Sequence, residues 1–130
     1  MREVQSQIIS DTVARLCMEA NYYLGDDVIK AFKDGLTKEE SPTGKDILNQ
    51  LLKNAEIARN EKIPICQDCG FAVVFVELGT EVSVKGNIID AINEGVRRGY
   101  TDGFLRKSIV SDPVKGKNTG DNTPAIVHPT

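Results

Sequence analysis

Two cysteines three residues apart are the side chains in this sequence with the clearest capacity for chemistry. Cys66 and Cys69 enclose Gln67 and Asp68, after a predicted helix and directly before a predicted strand. Loops held between such rigid elements often carry functional groups. A Cys-x-x-Cys pair can form a redox dithiol, contribute half of a zinc site, supply one ligand of an iron–sulfur cluster, or consist of two small buried residues. The spacing alone leaves all four interpretations open.

The elements around the pair disfavour two of these interpretations. A thioredoxin-like dithiol follows a strand and opens a helix, which is the reverse of the order here. Tetrahedral zinc needs about four ligands, and besides the pair the chain offers only Cys17 and His128 as further thiol or imidazole groups. A small module that uses Cys66 and Cys69 for thiol redox chemistry or zinc binding remains the alternative to an enzyme.

Polar and basic residues nearby have suitable chemistry for a substrate site. The Asp68 carboxylate can act as a general base or orient a water, although aspartate also caps turns. The Gln67 amide can hold a carboxylate or a hydroxyl group. Arginine binds carboxylates through two parallel hydrogen bonds, and four basic residues lie farther along the chain: Arg97, Arg98, Arg106 and Lys107. For Arg97 and Arg98 we favour a solvated helix face.

The hydrophobic pattern predicts an α+β fold, with N-terminal helices followed by a small mixed sheet and one further helix. The helices are predicted at 4–24, 28–36, 47–58 and 88–96, and the strands at 71–78, at 81–84 and from 125 onward. Asn87 is predicted to cap the last helix, which should fray toward Gly99. The strand at 71–78 should be mostly buried because it is continuously apolar.

Length, charge and composition limit the class of protein. The 130 residues fit a single region, 1–130, and a strand that starts near Ala125 indicates the N-terminal part of a longer catalytic domain. A net charge of −3 disfavours a nucleic-acid partner. No apolar run approaches the roughly 18 residues of a membrane span, so no membrane partner is expected. Three cysteines and the absence of an apolar leader favour a reducing cytoplasm.

Five motif blocks occur in order along the second half of the chain. They occupy residues 63–68, 74–79, 93–100, 105–113 and 117–125, and run from Ile-Pro-Ile-Cys-Gln-Asp to Lys-Asn-Thr-Gly-Asp-Asn-Thr-Pro-Ala. Together they resemble the α-type part of class I fumarate hydratase, within the iron–sulfur fumarase and tartrate dehydratase family. The resemblance covers most of the chain from Ile63 onward.

This resemblance implies an iron–sulfur hydro-lyase that reversibly hydrates fumarate to malate, or dehydrates a related 2-hydroxy dicarboxylate such as tartrate. It implies a 4Fe-4S cluster for which Cys66 supplies one of three cysteine ligands, the other two lying beyond this chain. Gln67, Asp68 and Arg106 would contact the dicarboxylate substrate, and Asp68 is the candidate catalytic residue. The family's usual residue at position 69 is threonine, so we interpret Cys69 as a small buried substitution.

The same resemblance implies partners and a setting. The remaining α-type region and a β-type subunit or domain would complete the enzyme, in a homo- or hetero-oligomer that works in the cytoplasm and in the tricarboxylic acid cycle. Residues 1–130 by themselves would offer one of the three cluster thiolates. We therefore expect this segment alone to be inactive.

Overall fold

The computed structural model describes residues 1–130, which form four helices and three two-stranded sheets. The elements in chain order are β1 Arg2–Gln5, α1 Ser6–Tyr22, α2 Asp26–Lys38, α3 Pro42–Glu61, β2 Val73–Val76, β3 Val82–Lys85, α4 Ile88–Asp102, β4 Val110–Asp112, β5 Lys117–Asn118 and β6 Ile126–Pro129. The predicted α+β class is confirmed. None of the helices is both long enough and apolar enough to cross a membrane.

The chain divides into two compact units. The strand unit comprises Met1–Met18 and Gln67–Thr130, and the helical unit comprises Glu19–Cys66. One division falls within α1, and the other falls between Cys66 and Gln67. The assignment of residues 1–130 to a single region of a longer catalytic domain stays a prediction.

Parallel pairing dominates the strand unit. β1 pairs parallel with β3, and β2 pairs parallel with β6. Only β4 and β5 are antiparallel. Parallel strands need long crossover connections, so each of the two parallel pairs joins segments that are distant in the sequence. The predicted mixed sheet is thereby divided into three separate strand pairs.

The N-terminus differs from the prediction, because Val4 lies in a strand rather than in the first helix. Residues Arg2–Gln5 pair with β3, where Val4 lies opposite Val84, and α1 begins at Ser6. A four-residue strand with one apolar side chain has no periodicity of its own to detect. Its partner strand, far along the chain, decides its conformation.

The prediction that β2 is mostly buried is wrong for one of its two faces. Val73 and Phe75 are 44% and 77% exposed, whereas Val74 and Val76 are partly covered. His128 of β6 stacks on Phe75 with the ring centroids 5.0 Å apart. A continuous apolar run is compatible with burial on one face or on both, and here only one face is covered within this chain.

The core of the strand unit lies between α1 and α4. Ser10 on α1 is buried, and its hydroxyl donates to the carbonyl of Ala91 on α4 at 2.9 Å. Around this bond, apolar side chains of both helices are at most 7% exposed: Val13, Ala14, Ile92, Val96 and Tyr100. This core supports the loops that carry the candidate site residues.

Helix α4 continues through two glycines instead of fraying. Asn87 is its N-cap, as predicted, and accepts hydrogen bonds from the backbone of Ile89 and Asp90. A Cβ atom on Gly95 would lie 2.6 Å from Cβ of Val13, and one on Gly99 would lie 2.8 Å from the carbonyl oxygen of Ala14. These glycines permit close contact of the helices, and the resulting burial outweighs their low helix propensity.

Gly99→Ala is expected to lower the free energy of unfolding by about 1–3 kcal/mol, the usual cost of overpacking a core. The added methyl group would meet backbone atoms of α1, which have little room to move. Urea unfolding followed by circular dichroism would measure the loss.

Gly35→Ala in α2 is the matched control for this substitution. Its nearest neighbour would be Leu48 Cδ1 at 3.7 Å, an ordinary contact, so the helix propensity of alanine should stabilise that variant by about 0.4–1 kcal/mol. Equal stabilisation of both variants would show that α1 and α4 are not in close contact at Gly99.

Candidate active site

The chain reaches Cys66 through a bonded segment of the helical unit. Helix α3 ends at Glu61, and Lys62 adopts a left-handed conformation with φ of 53°. The Ile65 amide donates to the carbonyl of Asn21 at 2.9 Å, and the Asn54 side chain donates to the Ile65 carbonyl at 2.7 Å. Both backbone groups of the residue before Cys66 are therefore engaged, which limits the freedom of the cysteine.

The three cysteines differ in environment. Cys66 is exposed and Cys69 is buried. Cys17, on α1, is partly buried, and burial raises the pKa of its thiol to about 11, so that thiol stays protonated at neutral pH. Cys66 is thus the cysteine of this chain with access to an external group.

Gln67 and Asp68 form an exposed turn at the start of the loop in the strand unit. Asp68 Oδ1 accepts a hydrogen bond from the Gly70 amide at 3.0 Å, and Gly70 is left-handed with φ of 57°. Asp68 therefore does cap a turn, as aspartate commonly does. The turn fixes the carboxylate at the surface, where it can also meet a substrate.

The turn is fastened to the core by two buried side chains. The hydroxyl of Tyr100, on α4, donates to the Cys69 carbonyl at 2.8 Å. The amide nitrogen of Asn122 donates to the Gly70 carbonyl at 3.1 Å. Tyr100 is 3% exposed and Asn122 is 0% exposed, so neither bond competes with bulk water.

Asn122 also holds the segment that follows Arg106. Its Oδ1 atom accepts hydrogen bonds from the Ser108 amide at 2.6 Å and the Ile109 amide at 3.0 Å. One side chain thereby links the backbone two residues after Asp68 with the backbone two residues after Arg106. Two of the sequence-predicted substrate segments are brought together in this way.

Arg106 is exposed and follows a buried anchor. Leu105 is 4% exposed, and its amide donates to the Tyr100 carbonyl at 3.1 Å. Arg106 forms no ion pair within residues 1–130. Its guanidinium is therefore available for an external carboxylate.

Arg97 and Arg98 differ from the prediction of a merely solvated helix face. Arg97 pairs with Glu94 and with Asp121, the latter at 3.1 Å, and Arg98 pairs with Asp11 at 2.6 Å. Both side chains are more than a third exposed, but each is already occupied by carboxylates of the same chain. This pairing separates them from Arg106.

The loop between β5 and β6 is held to α4 by charge and hydrogen bonds. Burial alone would raise the pKa of Asp121, but hydrogen bonds from the side chain and backbone of Thr123, and from Arg97, outweigh it and lower the pKa to about 2. The Asn93 side chain accepts a hydrogen bond from the Ala125 amide at 2.9 Å. These contacts fix the loop on both sides of Asn122.

Asp121→Asn is expected to lower the free energy of unfolding at pH 7 by about 1 kcal/mol, a value reduced by partial exposure of the ion pair. The folded pKa of Asp121 lies below its ordinary value of 3.8, so the carboxylate stabilises the fold above that value. The contribution should disappear as the pH falls toward 2. Urea unfolding of parent and variant between pH 7 and pH 2 measures it, with the exposed Asp46→Asn as control. A pH-independent difference would contradict the assignment.

The donor set fits one ligand of a metal cluster rather than a complete site. Within residues 1–130 no group of three or more histidine, cysteine, aspartate or glutamate side chains is arranged to hold a metal ion. Cys66 offers an exposed soft thiol, whereas Cys17 and Cys69 are covered to different degrees. The zinc alternative gains no further ligand from the fold, and the redox alternative pairs an exposed thiol with a buried one.

Sequence reasoning missed Asn122 and Tyr100. Asn122 stands in a Gly/Asn/Pro-rich segment whose composition indicates an ordered loop but assigns no chemistry to any of its residues, and Tyr100 ends the apolar stripe of α4. Neither residue type indicates such a role, because both roles depend on backbone groups of distant segments. The roles of Cys66, Gln67, Asp68 and Arg106 in metal and substrate binding stay predictions.

Comparison with known proteins identifies relatives across most of the chain. The model of the family described as fumarate hydratase (fumerase) matches residues 10–130. A protein of Methanocaldococcus jannaschii, provisionally named L(+)-tartrate dehydratase subunit alpha, is 34% identical over 91% of this chain. The Escherichia coli L(+)-tartrate dehydratase subunit alpha is 29% identical over 91% of the chain, and the anaerobic class I fumarate hydratase of E. coli is 36% identical over 68%.

The chain spans less than half the length of these relatives. It covers 43% and 40% of the two tartrate dehydratase alpha subunits, and 17% of the fumarate hydratase.

Proposed function

Because the chain belongs to the fumarate hydratase (fumerase) family, we propose that it is part of a hydro-lyase for a small dicarboxylate. The proposed reaction is the reversible hydration of fumarate to malate, or the dehydration of a related 2-hydroxy dicarboxylate such as tartrate. The observation that carries this proposal is the link through Asn122 between the Gln67–Asp68 turn and the Arg106 segment.

Arg106 binds one carboxylate of the substrate in this proposal. It is exposed and has no ion pair in the chain, while Arg97 and Arg98 are occupied. A guanidinium presents two parallel N–H donors that match a carboxylate. The binding energy serves mainly to orient the substrate.

Gln67 and Asp68 contact the substrate from the neighbouring turn. The Gln67 amide can donate to a carboxylate or a hydroxyl oxygen. The Asp68 carboxylate, fixed by the Gly70 amide, can accept the proton from the carbon next to the hydroxyl-bearing one. Asp68 is therefore the proposed catalytic residue of this chain.

Cys66 is proposed as one of three cysteine ligands of a 4Fe-4S cluster, because it is an exposed thiol directly before the substrate-binding turn. The other two ligands would come from the part of the α-type region that this chain does not span. When bound, the cluster would supply Lewis acidity to a hydroxyl and a carboxylate of the substrate. Residues 1–130 alone should therefore be inactive.

Completion of the enzyme requires partners in this proposal. Two of the relatives are named as alpha subunits, which supports a β-type subunit or domain as the partner. The assembly would be a homo- or hetero-oligomer. We place it in the cytoplasm and in the tricarboxylic acid cycle.

Anaerobic purification of the complete enzyme tests the proposal. Fumarate hydration, malate dehydration and tartrate dehydration are assayed in parallel with iron and sulfide analysis. The expected result is a brown protein that is active on at least one of these substrates and loses activity when the cluster is removed. A colourless protein with equimolar zinc, or with a reversible Cys66–Cys69 disulfide and no hydro-lyase activity, would favour the thiol or zinc module instead.

A further inference from the structure

We propose that Asn122 is a positioning residue, which holds the Gln67–Asp68 turn and the Arg106 segment in the mutual geometry that a dicarboxylate requires. The inference rests on the proposed function of those two segments. It adds a residue outside both of them, with no contact to substrate of its own.

The first support is that the three hydrogen bonds of the Asn122 side chain all join it to backbone groups. Its oxygen accepts from the Ser108 and Ile109 amides, and its nitrogen donates to the Gly70 carbonyl. An amide is a short group that carries acceptor and donor on one rigid plane. Alanine can replace none of these bonds, and aspartate can replace only the accepting side.

The second support is the position of the bonded backbone groups. Gly70 lies two residues after Asp68, and Ser108 lies two residues after Arg106. Two residues of chain span at most about 7 Å, so a shift at either bonded group is passed to the neighbouring functional side chain. A misplacement of about 1 Å can cost roughly 100-fold in rate.

The third support is that Asn122 is itself held from α4. Asp121 accepts hydrogen bonds from the Thr123 amide at 3.0 Å and the Thr123 hydroxyl at 2.7 Å, and it pairs with Arg97 at 3.1 Å. Asn93 binds the Ala125 amide. Asn122, with φ of 60° and no exposed surface, is thus a fixed link between the core and both segments.

Tyr100 provides a comparison in which only the Gln67–Asp68 side of the link loses a hydrogen bond. Its hydroxyl bonds the Cys69 carbonyl, so Tyr100→Phe removes a buried bond to the same turn without touching the bonds of Asn122 at Ser108 and Ile109. Asn122→Asp keeps an acceptor for Ser108 and Ile109 but loses the donor to Gly70. Asn122→Ala loses both sides, and Asn60→Ala replaces an exposed asparagine of α3 as a control.

The test combines amide hydrogen exchange with steady-state kinetics on the complete, cluster-loaded enzyme. Exchange at Ser108 and Ile109 should accelerate in Asn122→Ala, and stay slow in Asn122→Asp and in Tyr100→Phe. kcat/KM should fall about 100-fold in Asn122→Ala, with both kcat and KM changed. Asn122→Asp should lower kcat with a smaller change in KM, because the Arg106 side keeps its bonds.

Either of two results in Asn122→Ala would overturn the proposal. One is unchanged kcat and KM in folded Asn122→Ala together with a lowered Tm, which would make Asn122 merely structural. The other is slow exchange at Ser108 and Ile109 in that variant, which would show that Asn122 does not hold them. If Asn122→Ala does not fold, unchanged kcat and KM in Asn122→Asp, alongside faster exchange in 68–71, would also overturn it.

The experiment distinguishes a failure of the proposed function from a failure of this inference. A wild-type enzyme without activity on fumarate, malate or tartrate overturns the proposed function, whatever the variants do. Activity in the wild type and in Asn60→Ala that is lost in Asn122→Ala, with cluster content unchanged, supports the inference.

Discussion

Cys66→Ser in the complete enzyme is expected to remove the iron–sulfur cluster and to abolish hydration activity. Serine offers a hard, weakly acidic hydroxyl where a soft thiolate ligand is needed. Cys66 is exposed in this chain, so the substitution should leave the fold intact. Iron and sulfide analysis, together with hydration assays on the anaerobically purified variant, measures both effects.

Cys69→Thr is the matched control for this experiment, three residues away in the same loop. Cys69 is 9% exposed, and the family resemblance of the sequence implies threonine at this position. We expect cluster content and activity close to those of the parent. An intact cluster in Cys66→Ser, or a lost one in Cys69→Thr, would show that the ligand is assigned to the wrong cysteine.

Arg106→Lys is expected to reduce kcat/KM roughly 30- to 1000-fold, although the positive charge is kept. This fold-change corresponds to a loss of about 2–4 kcal/mol of transition-state stabilisation. Lysine has no planar fork for a carboxylate, so it loses one of the two parallel hydrogen bonds and the orientation that they impose. Steady-state kinetics with cluster content measured in parallel separates this effect from loss of the cofactor.

Arg98→Lys is the appropriate control for Arg106→Lys. Arg98 forms one exposed ion pair with Asp11, which lysine can also form, so kcat/KM should change less than about twofold. Arg97 is unsuitable because it pairs with Asp121 beside Asn122. Equal small effects at Arg106 and Arg98 would reduce Arg106 to a surface charge, and a large effect at Arg98 alone would move the carboxylate site there.

The sequence alone was sufficient for the elements whose pattern is local. The apolar stripe of α3 and the Asn87 cap of α4 are set by periodicity and by side chains near in sequence, and each was predicted. The motif blocks also indicated the family, because residue order is a property of the sequence itself. These features need no knowledge of distant neighbours.

Tertiary structure decided the features that depend on distant partners. β1 is a strand because β3 pairs with it, and α4 passes through Gly95 and Gly99 because α1 fills the space beside them. Asn122 links Gly70 to Ser108 because three segments meet around one buried amide. A hydrogen bond to a remote backbone group leaves no periodicity in the sequence, so residue types and the family resemblance could single out Asp68 and Arg106 as candidates but not the side chain that joins their segments.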